Sequence, residues 1–323
     1  MSNGPRPVFV AHADWSSDSK KRWMATGSLA GASYHLSSPE PVGDVTSLLY
    51  RLNQRAGGGP VVAGFDFPIG LPYSFAEGAQ IARFVDILPL LGSGNWANFY
   101  NIAASPTEIS FNRPFYPYRP GGSSQAHLTS ALGVPNMRGL LRSCERRSVN
   151  RGDACVLFWT LGAKQVGRGA IVGWRDMLAP ALKNPSRDVT VWPFDGPLAK
   201  LLQNRKCTVV ETYPAEACLH LGMTPPGRDW SKRKQSDRKR QGQYLINWTA
   251  SRGILMKKDL EDQIRAGFGP KEAGEDPFDA VVGLMSMIEV LLGHRPDGAP
   301  ASAPILDIEG WIFGQACDNE QIG

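Results

Sequence analysis

The chain lacks the cysteine spacing of a disulfide or zinc framework. Its five cysteines (Cys144, Cys155, Cys207, Cys218 and Cys317) are odd in number and widely spread, with no Cys-x-x-Cys pair and no clustered histidine partners. Neither a stapled fold nor a structural zinc site is encoded, and a reducing, cytoplasmic setting fits best. No Gly-x-x-x-x-Gly-Lys loop occurs, and Gly57-Gly58-Gly59 precedes a strand, whereas a phosphate cradle joins a strand to the helix that follows it. The five histidines (His12, His35, His127, His220 and His294) stand apart without the partners of a Ser-His-Asp or Cys-His constellation. Long apolar runs are missing as well. Val8 to Ala11 is too short for the core of a signal peptide, and Phe278 to Leu292, broken by Asp279, Ser286 and Glu289, falls short of the roughly 20 residues a spanning helix needs. The sequence therefore predicts a buried helix there and no membrane partner. Internal repeats are absent.

What is present is an ordinary globular composition. The 323 residues are 42% hydrophobic and 20% charged, enough to bury a core, while 35 glycines and 25 prolines foretell long irregular connections. The net charge of +5 is mild and fits either a polyanion partner or a plain basic surface.

Three short strands are expected at Pro7–Ala13, Arg22–Leu29 and Ser33–Ser37, separated by turn residues and close enough to be antiparallel neighbours. Val45, Leu48, Leu49 and Leu52 then recur at helical spacing behind Asp44, a potential N-cap. Val61-Val62-Ala63-Gly64-Phe65 is apolar throughout, the pattern of a parallel strand buried on both faces, and it ends at Asp66. A second such strand, Cys207–Thr212, carries Glu211 at its end, and a short helix from Pro214 to Leu221 follows. Between them lies an irregular stretch with helices expected at 76–90, 136–149 and 194–204. Residues 230–241 carry six basic side chains and lead into an amphipathic helix around Tyr244–Arg252, and a Pro/Ala-rich linker follows at 296–304. These elements divide the chain into a core (1–71 plus 206–316), a large insertion (72–205) and a short tail (317–323).

The acids fall at the edges of that core. Asp14 follows the first strand, Asp66 and Glu211 close the two buried strands, and Asp276 and Asp279 open the last helix. In open α/β sheets functional groups gather beyond strand ends, where converging carboxylates raise one another's pKa unless a cation holds them. A hard ion such as Mg²⁺ or Mn²⁺ suits a few carboxylates together with a phosphate substrate. The plain readings stand beside this one. Asp276, before Pro277, is also a suitable N-cap, and Asp66 could cap the turn into Pro68, Gly70 and Pro72.

Five segments in order resemble the domain-of-unknown-function 429 family of predicted RNase H-like nucleases. They are Phe65-Asp66-Phe67-Pro68-Ile69-Gly70-Leu71-Pro72, Gln165-Val166-Gly167, Val210-Glu211-Thr212-Tyr213-Pro214-Ala215, Asp276-Pro277-Phe278-Asp279-Ala280 and Glu309-Gly310-Trp311-Ile312. The resemblance implies an α/β fold with an RNase H-like mixed sheet of three antiparallel plus two parallel strands, flanked by helices and carrying the insertion. It also implies that Asp14, Asp66, Asp279 and Glu211 are catalytic and that Asp14, Asp66, Asp276 and Asp279 ligate metal. The expected activity is hydrolysis of nucleic-acid phosphodiesters by two metal ions about 3.5–4 Å apart. Trp15, bulky where many such sites have a small residue, either narrows access or tucks into the core.

Two basic groups are candidates for the nucleic-acid partner. One is Arg138, Arg142 and Arg146, a stripe if 136–149 is helical; the other is Lys232, Arg233 and Lys234. Either can instead be a solvated surface. His12, two residues before Asp14 on the same side of the strand, reads first as structural and second as a ligand orienter or proton shuttle. Trp96, Phe99, Tyr100, Phe115, Tyr116 and Tyr118 read as the insertion's own core before they read as base-stacking platforms. A competing class keeps the fold and drops the nuclease, giving a nucleotide-binding, phosphotransferase-like or non-catalytic protein.

Overall fold

Valine, alanine and glycine runs bounded by turn residues build the central strands. In the computed structural model, which describes residues 6–149, 151–162, 166–184, 186, 188–204, 206–227 and 229–317, the chain divides into two compact units. The first comprises residues up to Asp66 together with Pro197–Asp297; the second comprises Phe67–Gly196 and the segment from Gly298 onward. Residues 298–316, assigned to the core on sequence grounds, thus belong with the second unit. Most of the tail, and Gln165 of the second motif, lie outside the described residues.

In the first unit β1 (Phe9–Asp14), β4 (Val61–Phe65) and β5 (Cys207–Glu211) are buried at every position. Both faces of these strands are covered, which is why their sequences do not alternate. β1 runs parallel to β4, and β4 parallel to β5. On its other side β1 is antiparallel to β2 (Trp23–Ala30), which turns through Gly31 at φ +61° into antiparallel β3 (Ser33–Pro41). A two-residue strand, β6 (Leu255–Met256), pairs in parallel with His35 and Leu36 of β3. The order is β5-β4-β1-β2-β3-β6. The five strands expected are present with the expected directions, but the sheet composition differs. The described residues hold seven strands; β6 and Val189–Val191 of the second unit are too short for a periodicity argument.

Helix α1 (Leu48–Arg55) buries Leu48, Leu49 and Leu52, and its Arg55 lies over the Phe9 ring. The opposite face of β1 meets α5 (Glu275–Leu291), whose Ala280 carbonyl contacts His12. Fifteen of the seventeen residues of α5 are buried, because it packs against the sheet on one side and against α2 (Pro214–His220) on another. Helix α3 (Gln235–Arg252) starts well before the expected Tyr244. Lys, Arg and Gln are good helix formers, and the run is anchored from inside. Arg238 is buried and donates to the carbonyls of Gly267, Gly269 and Lys271 at 2.7–2.9 Å, and to that of Lys232. Farther along, Trp248 and Arg252 both donate to the buried carboxylate of Glu289 on α5. Helix α4 (Lys258–Ala266) packs on α3.

The second unit is built from short helical turns around an aromatic core in which Phe75, Phe99, Phe115 and Phe158 touch ring to ring. Phe99, Tyr100, Phe115 and Tyr116 are buried, Trp96 is half-buried and Tyr118 is exposed, so most of these aromatics do build the core. The helix expected at 76–90 is interrupted at residues 79–83, leaving Tyr73–Gly78 and Phe84–Ile87. The 136–149 helix does not form. Two 3₁₀ turns, Met137–Leu140 and Ser143–Glu145, take its place, the first capped by the Asn136 side chain. Regular helix appears instead from Val166 to Lys183, with a π-helical stretch at Gly173–Leu178.

Two of the recurrent motifs meet inside this unit. Gly70 has φ +144°, and a Cβ there would lie 2.0 Å from the Glu309 carbonyl oxygen; one on Gly310 would lie 2.4 Å from the Ile69 carbonyl oxygen. Leu71 N–H donates to the Ile308 carbonyl at 2.9 Å. The Glu309 carboxylate accepts from the N–H groups of Tyr73 and Ser143, at 3.2 and 3.0 Å. Pro-Ile-Gly-Leu-Pro and Glu-Gly-Trp-Ile are therefore two halves of one close backbone crossing.

Candidate active site

Register decides which acids meet. Ala13 pairs with Phe65 and Phe65 with Glu211, so Asp14, Asp66 and Thr212 fall in line one residue farther on. Side chains alternate along a strand, which puts these three on the α5 face and Glu211 on the opposite one. Trp15 follows the same alternation. It packs edge-on against Phe65, with ring centroids 5.3 Å apart, beneath the guanidinium of Arg22. Trp15 is thus tucked into the core, and the Glu211 carboxylate is directed away from Asp14 and Asp66.

Asp14 and Asp66 stand side by side where β1 and β4 end, close enough that the charge of Asp66 raises the Asp14 carboxyl. The Trp15 N–H donates to Asp66 Oδ1 at 2.5 Å. Helix α5 adds Asp279 and Asp276, one turn apart. Burial, followed by the charges of Asp66, Asp279 and Asp276, holds Asp14 well above the ordinary carboxylate range. Burial and then Asp279 push Asp66 up to about 8. Asp276 is raised to about 6 by burial, Asp279 and Glu275, and burial also raises Asp279, against the pull of Lys232. Asp14 and Asp279 are buried, whereas Asp66 and Asp276 keep partial exposure.

Asp276 is not the helix cap. Gly274 occupies that position, and Glu275 and Asp276 form the first turn, where the helix dipole favours acids.

The basic candidates separate. Lys232 turns inward and donates to Asp279 Oδ2, with its ammonium 3.9 Å from Glu275. Burial alone would lower its pKa; Asp279, Asp14 and Glu275 reverse this and keep it charged. Arg233 and Lys234 are exposed, Arg233 standing 3.8 Å from Glu275. Arg138, Arg142 and Arg146 belong to the second unit and form no stripe, because the helix that would align them is absent. Arg138 is exposed and Arg146 half-buried. Arg142 is completely buried; it grips Glu145 at 2.9 and 3.0 Å and the Glu309 carbonyl at 3.0 Å. That is a structural role.

His12 is structural too, and it positions the site. Its Nδ1 lies 3.0 Å from the Ala280 carbonyl, which can only accept, so Nδ1 carries the proton and Nε2 accepts from the Thr212 hydroxyl at 2.8 Å. Burial lowers its pKa to about 4, keeping the ring neutral. Thr212 lay unnoticed inside the Glu-x-Tyr-Pro motif, whose most conspicuous member was Glu211. Replacing Thr212 with Val keeps the shape and strands Nε2, which should cost about 1–3 kcal/mol in urea denaturation, while Thr212→Ser stays near wild type. Equal stability of all three proteins would refute this role.

None of the family models, curated proteins or solved structures compared with the chain matches it. The functional reading therefore rests on the geometry. Among the described residues no three His, Cys, Asp or Glu side chains are disposed around one metal position. The donor chemistry still fits a hard divalent cation. Mg²⁺ is commonly held by one or two carboxylates, with waters and substrate phosphates completing its shell, and the adjacent Asp14–Asp66 pair is such a donor set. Among the described residues no helix is long and apolar enough to cross a membrane.

Proposed function

We propose that the chain is a metal-dependent hydrolase of nucleic-acid phosphodiesters on an RNase H-like core, akin to the family its motifs resemble. The observation that carries the reading is the Asp14–Asp66 pair, two carboxylates that leave adjacent parallel strands in register, with Asp279 of α5 close enough to raise both. A cation bound by such a pair would offset the repulsion between the carboxylates and favour their ionised form, with any proton released to solvent. Asp14 and Asp66 would be the central ligands of Mg²⁺ or Mn²⁺, with Asp279 and Asp276 as the further donors. A bound divalent ion supplies an activated water and charge neutralisation at a phosphoryl oxygen.

The chain's own residues do the rest. His12 and Thr212 fix the end of β1 against α5. The Trp15 N–H orients Asp66. Exposed Arg233, Lys234 and Lys239 supply positive charge that neutralises phosphates without reading sequence. Asp14→Asn should abolish Mn²⁺-dependent cleavage across a panel of labelled single-stranded, duplex and hybrid nucleic acids, and weaken Mn²⁺ binding measured by calorimetry. Undiminished cleavage by the variant would end the nuclease reading. Absence of both binding and cleavage in the wild type would leave a nucleotide-binding or non-catalytic role.

A further inference from the structure

Lysines at the edge of a protein normally extend their ammonium into water. Lys232 does the reverse, although its neighbours Arg233 and Lys234 are exposed: only 20% of its side chain is accessible. The backbone around it is fastened so that the side chain has one direction to take. Ser231 N–H donates to Asp237 Oδ2 at 2.9 Å, and the Lys232 carbonyl accepts from buried Arg238. From that anchor the ammonium reaches Asp279 and Glu275. It occupies the approach to the carboxylate on α5 that the proposed function assigns to a divalent ion.

We propose that Lys232 is a resident counter-ion that competes with the metal for Asp279. Resting on the metal-dependent reading, this means that the ion must displace an ammonium already paired with its ligand, so the metal is held weakly in the free protein. Two cations cannot share one desolvated carboxylate edge without mutual repulsion. Removing the ammonium therefore favours the ion, even though it leaves the metal-free cluster with less positive charge to balance it.

The test is calorimetric titration of Mn²⁺ into the full chain, at one fixed pH, for wild type, Lys232→Gln and Lys232→Arg. Lys232→Gln should bind Mn²⁺ at least about tenfold more tightly, a gain of about 1.4 kcal/mol, while Lys232→Arg stays near wild type. Melting in EDTA and in Mn²⁺ gives a second readout if Lys232→Gln folds poorly without metal: its melting temperature should rise with Mn²⁺ by more than that of the wild type. Equal or weaker Mn²⁺ affinity in Lys232→Gln, with Asp14→Asn still losing the ion, would overturn the competition and leave the metal-dependent reading standing. No Mn²⁺ binding by either wild type or Lys232→Gln would overturn both.

Discussion

Asp66→Asn should abolish metal-dependent cleavage and at the same time make the metal-free protein more stable at alkaline pH. Asparagine keeps the hydrogen bond from Trp15 at this position, because its side-chain carbonyl still accepts from the Trp15 N–H. What disappears is a charge. The Asp66 carboxyl titrates at about 8 in the folded protein and near 3.9 in the unfolded chain. Between those values the folded state binds more protons than the unfolded state, so stability falls as pH rises through the window and is lowest above about pH 8. Below about pH 4 the group is protonated in both states and contributes nothing. The full shift would amount to about 6 kcal/mol. Water on the partly exposed side of Asp66 relieves some of it, and on the order of 3 kcal/mol remains for the variant to recover. Denaturation in EDTA at about pH 5 and about pH 8.5 measures this directly: the wild type should lose stability across the interval and Asp66→Asn should lose much less. Added Mn²⁺ should then stabilise only the wild type. A variant less stable than wild type at the higher pH would show that the pair is not strained by its charge.

Such a conflict between stability and chemistry would mark a site set up to receive a ligand, and the sequence disclosed only part of the carboxylate cluster. Asp14 and Asp66 were legible because uninterrupted apolar runs end at them, and a buried parallel strand has few other ways to read. Asp279 was legible from its place on an apolar helix. Glu211 was misleading for a reason of register: it ends its strand just as Asp66 follows β4, but it pairs with Phe65, one residue short of Asp66, and a shift of one residue reverses the face. The arginines at 138, 142 and 146 misled in another way. Spacing by four implies a stripe only if the backbone is helical, and two separate 3₁₀ turns form there, the second closed by the buried Arg142–Glu145 pair. Lys232 was grouped with its basic neighbours because a charge run does not reveal which members turn inward. Arg238 and Asp237, which aim it, act through tertiary bonds that have no periodicity. The two-residue strand β6 exists only because β3 offers it an edge.

Gly283 was invisible for the same reason, and substitution there should have the largest effect on folding. It lies in the middle of α5, where alanine is ordinarily favoured over glycine by about 1 kcal/mol. Here the helix crosses the His12 ring so closely that a Cβ would stand 2.1, 2.2 and 2.4 Å from three of its atoms. The ring cannot yield, because the Ala280 carbonyl holds one nitrogen and the Thr212 hydroxyl holds the other. Gly283→Ala must therefore force the helix off β1 or break both buried hydrogen bonds. Overpacking costs about 1–3 kcal/mol and each stranded polar group about 1–3 kcal/mol more, so the propensity gain is overwhelmed and a net loss of about 3 kcal/mol or more is expected. His12→Ala alone should also destabilise, by leaving a cavity and an unpaired Thr212. In the double variant the alanine methyl on α5 enters space that the ring has vacated, so the two costs should not add. A favourable coupling of at least about 1 kcal/mol in a double-mutant cycle is the expected signature, and strict additivity would show that the ring and the helix are not in steric competition. The same cycle read in cleavage assays connects folding to chemistry. His12 is two residues from Asp14 on the same strand, so any variant that shifts the helix to spare the ring also moves Asp279 relative to Asp14, and activity should fall even where the fold survives.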